Sequence, residues 1–116
     1  MTPTEERELL ELAAKAYGLE YDLDGDHGLL IPKGGLEQRY WRPTRNDGDC
    51  FDLAVHLRLC IDQWPTHVEV FAIYLKCAYG SCRRPVEVHI SEESERLAAT
   101  RLAVTRVAAV IGRIMK

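Results

Sequence analysis

The chain has 116 residues, 47% hydrophobic and 28% charged, with a formal net charge of -3. That length suits one domain, residues 1–116, with a core of its own, and the composition excludes a disordered chain. A slightly acidic chain also lacks the positive field that gathers phosphates, so nucleic acid is not an expected partner.

No charged segment followed by an apolar core opens the chain, and no apolar run approaches the roughly 20 residues of a membrane helix. A cytoplasmic protein with no membrane partner is expected. The four cysteines, Cys50, Cys60, Cys77 and Cys82, do not form the dense framework of small secreted domains, so thiols are expected in a reducing compartment.

In chain order, Thr2-Pro3-Thr4-Glu5 is a capping box with proline at the first helical position. Leu9, Leu10, Ala13, Ala14, Ala16 and Tyr17 then recur at helical spacing up to Gly18, which predicts a helix over about 3–17. The acidic stretch 19–28 reads as loop, Leu29-Leu30-Ile31 as a short strand, and Gln38-Arg39-Tyr40-Trp41 as a second strand paired with it. Asn46-Asp47-Gly48-Asp49 reads as a turn whose last residue caps a second helix. In that helix Cys50, Leu53, Ala54 and Leu57 form a core stripe that Phe51 and Val55 widen. Period-two alternation then predicts strands over 59–64 and 86–90; between them 67–76 is the longest strand candidate, with breaks at Pro65 and at a turn from Cys77 to Pro85. Ser91-Glu92-Glu93 opens a last helix whose apolar stripe, Leu97 to Met115, runs to the C-terminus.

The order is α-β-β-α-β-β-β-α. Three amphipathic helices do not fit comfortably on one face of a small sheet. The expected fold is therefore α+β, a three-layer α/β/α sandwich with a mainly antiparallel sheet.

Three groups of residues carry a likeness to a known family. These are Glu8-Leu9-Leu10-Glu11-Leu12-Ala13; Tyr40-Trp41-Arg42-Pro43 with Asn46-Asp47-Gly48-Asp49 and Leu53-Ala54-Val55-His56-Leu57; and Ala98-Ala99-Thr100-Arg101 with Ala108-Ala109-Val110-Ile111-Gly112-Arg113. In them, and in the order of its elements, the chain resembles the phage ABA sandwich domain family, small accessory proteins of tailed phages and prophages. The resemblance implies an α/β/α sandwich and a phage or prophage gene acting in the bacterial host cytoplasm. It implies no activity and supplies no functional residues. The turn from Cys77 to Arg84 departs from the family pattern.

Each candidate for chemistry has a simpler structural reading. Cys77 and Cys82 have the spacing of one zinc knuckle without a second; they could instead face each other in a disulfide, and reduced turn cysteines are the simpler reading of both. Asp22, Asp24 and Asp26 alternate as calcium ligands do, but no bidentate glutamate follows, and a solvated acidic loop accounts for them. Asp52 and His56, four apart on one helix, read as a surface ion pair, because no nucleophile motif stands beside them. No phosphate-binding glycine loop is present. No catalytic residue, metal site or cofactor is expected.

The function expected is that of a non-catalytic interaction module, alone or as a homo-oligomer, which binds and modulates a host or phage protein in defence or regulation. The alternative is a protein that sequesters a small ligand such as a nucleotide signal. The candidate binding residues are Trp41, Arg42, Trp64, Arg83, Arg84, Arg101, Arg106 and Arg113.

Overall fold

The computed structural model describes residues 2–72 and 85–115. Helix α1 spans Pro3–Tyr17, as the capping box predicts. The Thr2 hydroxyl accepts from the Glu5 N–H at 3.1 Å, and Gly18, at φ 85°, ends the helix by donating to the Ala14 carbonyl. Three strands follow: β1 (Asp22–Leu23), β2 (Leu29–Ile31) and β3 (Arg39–Trp41). They form one antiparallel sheet in the order β1-β2-β3. The two-residue strand β1 lies in the acidic stretch expected to be loop. Its Asp22 carboxylate accepts from the Gly34 N–H at 2.8 Å and from the Gln38 amide at 2.7 Å, which ties the edge strand to the turn beyond β2.

Helix α2 spans Asp47–His56 and begins earlier than expected. Asn46, not Asp49, is its cap: the Asn46 side chain accepts from the Asp49 N–H at 2.9 Å, an orphan donor of the first turn. Asp49 is thereby drawn inside, where its buried carboxylate accepts from the Arg42 N–H at 2.9 Å and from the Arg39 guanidinium at 3.0 Å. Arg58, at φ 53°, then turns the chain out of α2.

Strands β4 (Leu59–Gln63), β5 (His67–Ala72) and β6 (Val86–His89) form a second antiparallel sheet in that order. A single helical turn at Glu93–Glu95 leads into α3, Arg96–Ile114. With Ser91 as cap the helix would begin at Glu92; the long helix starts four residues later, and no side chain caps it.

The α+β class and the order of the expected elements hold, with β1 added. The strands divide between two sheets, and α3 packs on β4, β5 and β6 while α1 and α2 pack on α3. Val68, Val70 and Ala72 of β5 alternate into this contact and are buried. Among the described residues no helix covers the opposite face of that sheet, because α3 takes the layer against it and α1 stacks on α3 instead. A helix enclosed in this way must be apolar on most sides. Ala103, Val104, Thr105, Val107, Ala108 and Ala109 are all buried, and the Thr105 hydroxyl is satisfied by donating to the Arg101 carbonyl at 2.8 Å.

Two core assignments are overturned. Phe51 and Val55 of α2, expected to widen the core stripe, are exposed, as is Leu97 in the first turn of α3. The buried stripe of α2 is the narrower one through Cys50, Leu53 and Ala54.

Candidate functional site

Of the eight residues expected to bind, the six among the described residues do not converge. Trp41 is buried beside Tyr17, its ring edge-on at 6.4 Å. Trp64 is exposed in the connection from β4 to β5 and lies parallel to the His67 ring at 6.0 Å. Arg101 is committed to structure: it donates to the Thr44 carbonyl at 3.1 Å and pairs with Asp47 at 2.6 Å, tying α3 to the start of α2. Arg106 and Arg113 are exposed along α3. Arg83 and Arg84 lie outside the described residues, as do Cys77 and Cys82.

Arg42 does belong to a concave site. Its guanidinium stacks 4.2 Å above the Tyr40 ring and donates to the His27 carbonyl at 2.8 Å. There it forms, with Arg7, Arg45, Glu6 and Asp26, the wall of a pocket of about 240 Å³ between α1 and the first sheet. Arg45 grips Glu6 through two parallel N–H donors at 3.1 and 3.0 Å. This pairing holds the Glu6 carboxyl below its ordinary pKa, with the Thr44 hydroxyl adding to the effect and partial burial opposing it. Arg7 pairs with Asp26 at 3.1 Å. Two of the three guanidinium groups are thus already matched by carboxylates.

The acidic stretch and the Asp52/His56 pair take other partners. Asp22 holds the turn, the Tyr40 hydroxyl donates to Asp24, and Asp26 binds Arg7, so the three carboxylates diverge. Asp52 and His56 do not form the expected ion pair. Tyr17 reaches both instead, donating to Asp52 at 2.8 Å and stacking on His56 at 4.2 Å. The negative charge accepting that bond raises the Tyr17 pKa.

A third region was not legible in the sequence. Phe51 and Ala54 of α2, Ile61 of β4 and Leu97 of α3 line an apolar groove of about 310 Å³, with Cys50 in its lining and the Asp47–Arg101 pair at its edge. Phe51 is 72% and Leu97 66% exposed. Burial pushes the Cys50 thiol up to about 11, with Arg101 opposing the shift.

A fourth lies on the face of the second sheet turned away from α3. His67 and Glu69 of β5 stand directly across from His89 and Glu87 of β6. Each strand shows this pattern in sequence, as His-Val-Glu and Glu-Val-His, but their meeting depends on register.

No family model, no curated protein and no solved structure matches this chain. No described helix is long and apolar enough to cross a membrane.

Proposed function

We propose that the chain is a non-catalytic interaction module that binds and modulates a host or phage protein, and that the groove between α2, β4 and α3 is where the partner docks. The observation that carries this reading is the exposure of Phe51, Ile61 and Leu97 around one apolar groove. Large apolar side chains grouped on a surface, with charges only at the rim, are the usual mark of a docking site. Side chains left in water at this cost are stabilised once a partner covers them, at about 25 cal/mol for each Å² buried. The occupant is a partner protein that inserts a large apolar anchor, because the lining of the groove holds few groups able to bind a polar one. A phage or prophage origin, in the cytoplasm of a bacterial host, is part of the same proposal and rests on the sequence resemblance.

The test is affinity purification from the natural host, followed by reconstitution from the two purified proteins. A defined partner should bind the unmodified chain and be lost with Phe51→Asp or Leu97→Asp, each of which leaves the helical circular dichroism unchanged. A partner that binds both variants as tightly as the original chain rules out this groove. If the variants instead convert a dimer to a monomer in sedimentation, the occupant is a second copy.

A second reading, binding of a small anionic ligand such as a nucleotide signal, is favoured by the three guanidinium groups around the pocket at Arg42. Thermal-shift measurements with mono- and cyclic nucleotides test it, since a ligand specific for the folded state raises the melting temperature. A flat response across that set sinks it.

A further inference from the structure

We propose that the outer face of β5 and β6 is a binding site for a divalent transition-metal ion of the zinc class, held by His67, Glu69 and Glu87 with His89 as a fourth ligand. The inference is independent of the docking groove.

The antiparallel register pairs His67 with His89 and Glu69 with Glu87. Directly opposed residues, and residues two apart on a strand, share a face. All four side chains therefore stand on the face turned away from α3. One ligand atom each from His67, Glu69 and Glu87 lies within 4.8 Å of the others. Tetrahedral zinc with bonds of about 2.0–2.2 Å needs ligand atoms about 3.4 Å apart, so side-chain rotation of little more than an ångström closes the site. The His89 ring centre is 5.6 Å from that of His67, and its Nε2 lies 4.0 Å from Glu87.

Electrostatics favours an ion here. Glu69 and Glu87 are like charges set directly across a ladder, an arrangement that destabilises a sheet unless a cation stands between them. Glu69 is largely withdrawn from water, its side chain 22% exposed. A divalent ion would balance both carboxylates at once. The mixture of imidazole and carboxylate selects among metals: calcium and magnesium prefer oxygen alone, whereas zinc, cobalt and nickel accept nitrogen and oxygen together.

The His67 ring is already oriented for this role. Its Nε2 points at Glu69, 3.0 Å away, and its Nδ1 lies 3.1 Å from the Thr66 hydroxyl. With a metal on Nε2 the remaining ring proton sits on Nδ1 and is donated to Thr66, the outer contact that fixes metal-binding histidines. Trp64, parallel to the ring, holds its plane. Metal entry displaces any proton on Nε2 to solvent.

The test uses the full chain after chelator treatment, titrated with Zn²⁺ by calorimetry and with Co²⁺ by visible absorption. One equivalent should bind, with a cobalt ligand-field band and a raised melting temperature. His67→Gln and Glu87→Gln should each weaken binding by more than about tenfold. Glu87 is on the exposed edge of the cluster, so its variant keeps the fold, which circular dichroism verifies. Absence of binding by the unmodified chain, or binding that survives both substitutions, overturns the assignment.

Discussion

Gly112 of α3 lies against the backbone carbonyl of Leu12 in α1, so close that a methyl group at position 112 would overlap the Leu12 oxygen. The contact sets how near the two helices come. Ala13, Ala14 and Ala16 on α1 are buried, as are Ala108 and Ala109 on α3, and short side chains permit close axes. Lys15 seals the end of the pair by donating to the Met115 carbonyl at 2.8 Å.

Gly112→Ala therefore sets two effects against each other. Alanine in a helix interior is favoured over glycine by about 1 kcal/mol. Overpacking a closed contact costs about 1–3 kcal/mol, and more when the obstacle is backbone. The clash should win, and urea denaturation should show a lower midpoint for the variant. An equal or higher midpoint would mean that α1 and α3 do not meet at Gly112.

At the end of α2, Arg58 holds φ 53°, a conformation that costs a residue with a side chain about 1–2 kcal/mol and glycine almost nothing. Arg58→Gly relieves that cost but gives the unfolded chain more freedom. The expected net is a gain of up to about 1 kcal/mol in the same measurement. A clear loss of stability would show that the arginine side chain contributes more than its backbone costs.

Glu6 gives the arginine pocket an acid dependence. Its carboxyl titrates lower in the folded chain, first because Arg45 binds it. The stabilisation is complete above the unfolded glutamate value, about 4.3, and is lost as pH falls through the lower folded value. Glu6→Gln should flatten the loss of melting temperature in that acid range and change little near neutrality in its slope. If wild type and variant show parallel curves down to the acid limit, the Arg45 pairing carries no linkage.

Cys50 supplies a chemical check on the α2–α3 contact. With its thiol raised to about 11 by burial, the thiolate fraction at pH 8 falls about two orders of magnitude below that of an ordinary cysteine. Peptide mapping after maleimide treatment should find Cys50 labelled much more slowly in the folded chain than in urea. Equal rates in both states would place the thiol in water.

Much of the fold was legible because local physics decides it. The Thr2 cap, Pro3 and Gly18 bound α1 without help from the rest of the chain, and the alternation of Val86 and Val88 with Glu87 and His89 marked β6. Where several local signals competed, the tertiary structure chose. Both Asn46 and Asp49 can cap α2, and the need of the Arg42 N–H for a buried acceptor drew Asp49 inward and left the cap to Asn46.

The surfaces proposed to carry function belong to the part that only the tertiary structure decided. Helical spacing shows that Phe51, Val55 and Leu97 lie on apolar stripes, but a stripe is buried only where a neighbouring layer arrives, and α1 stacks on α3 rather than over them. His67 and Glu69 are visible as alternate residues of one strand, and Glu87 and His89 of another. Their meeting is set by register across β5 and β6, and register depends on long-range pairing because a shift of one residue turns every side chain to the opposite face.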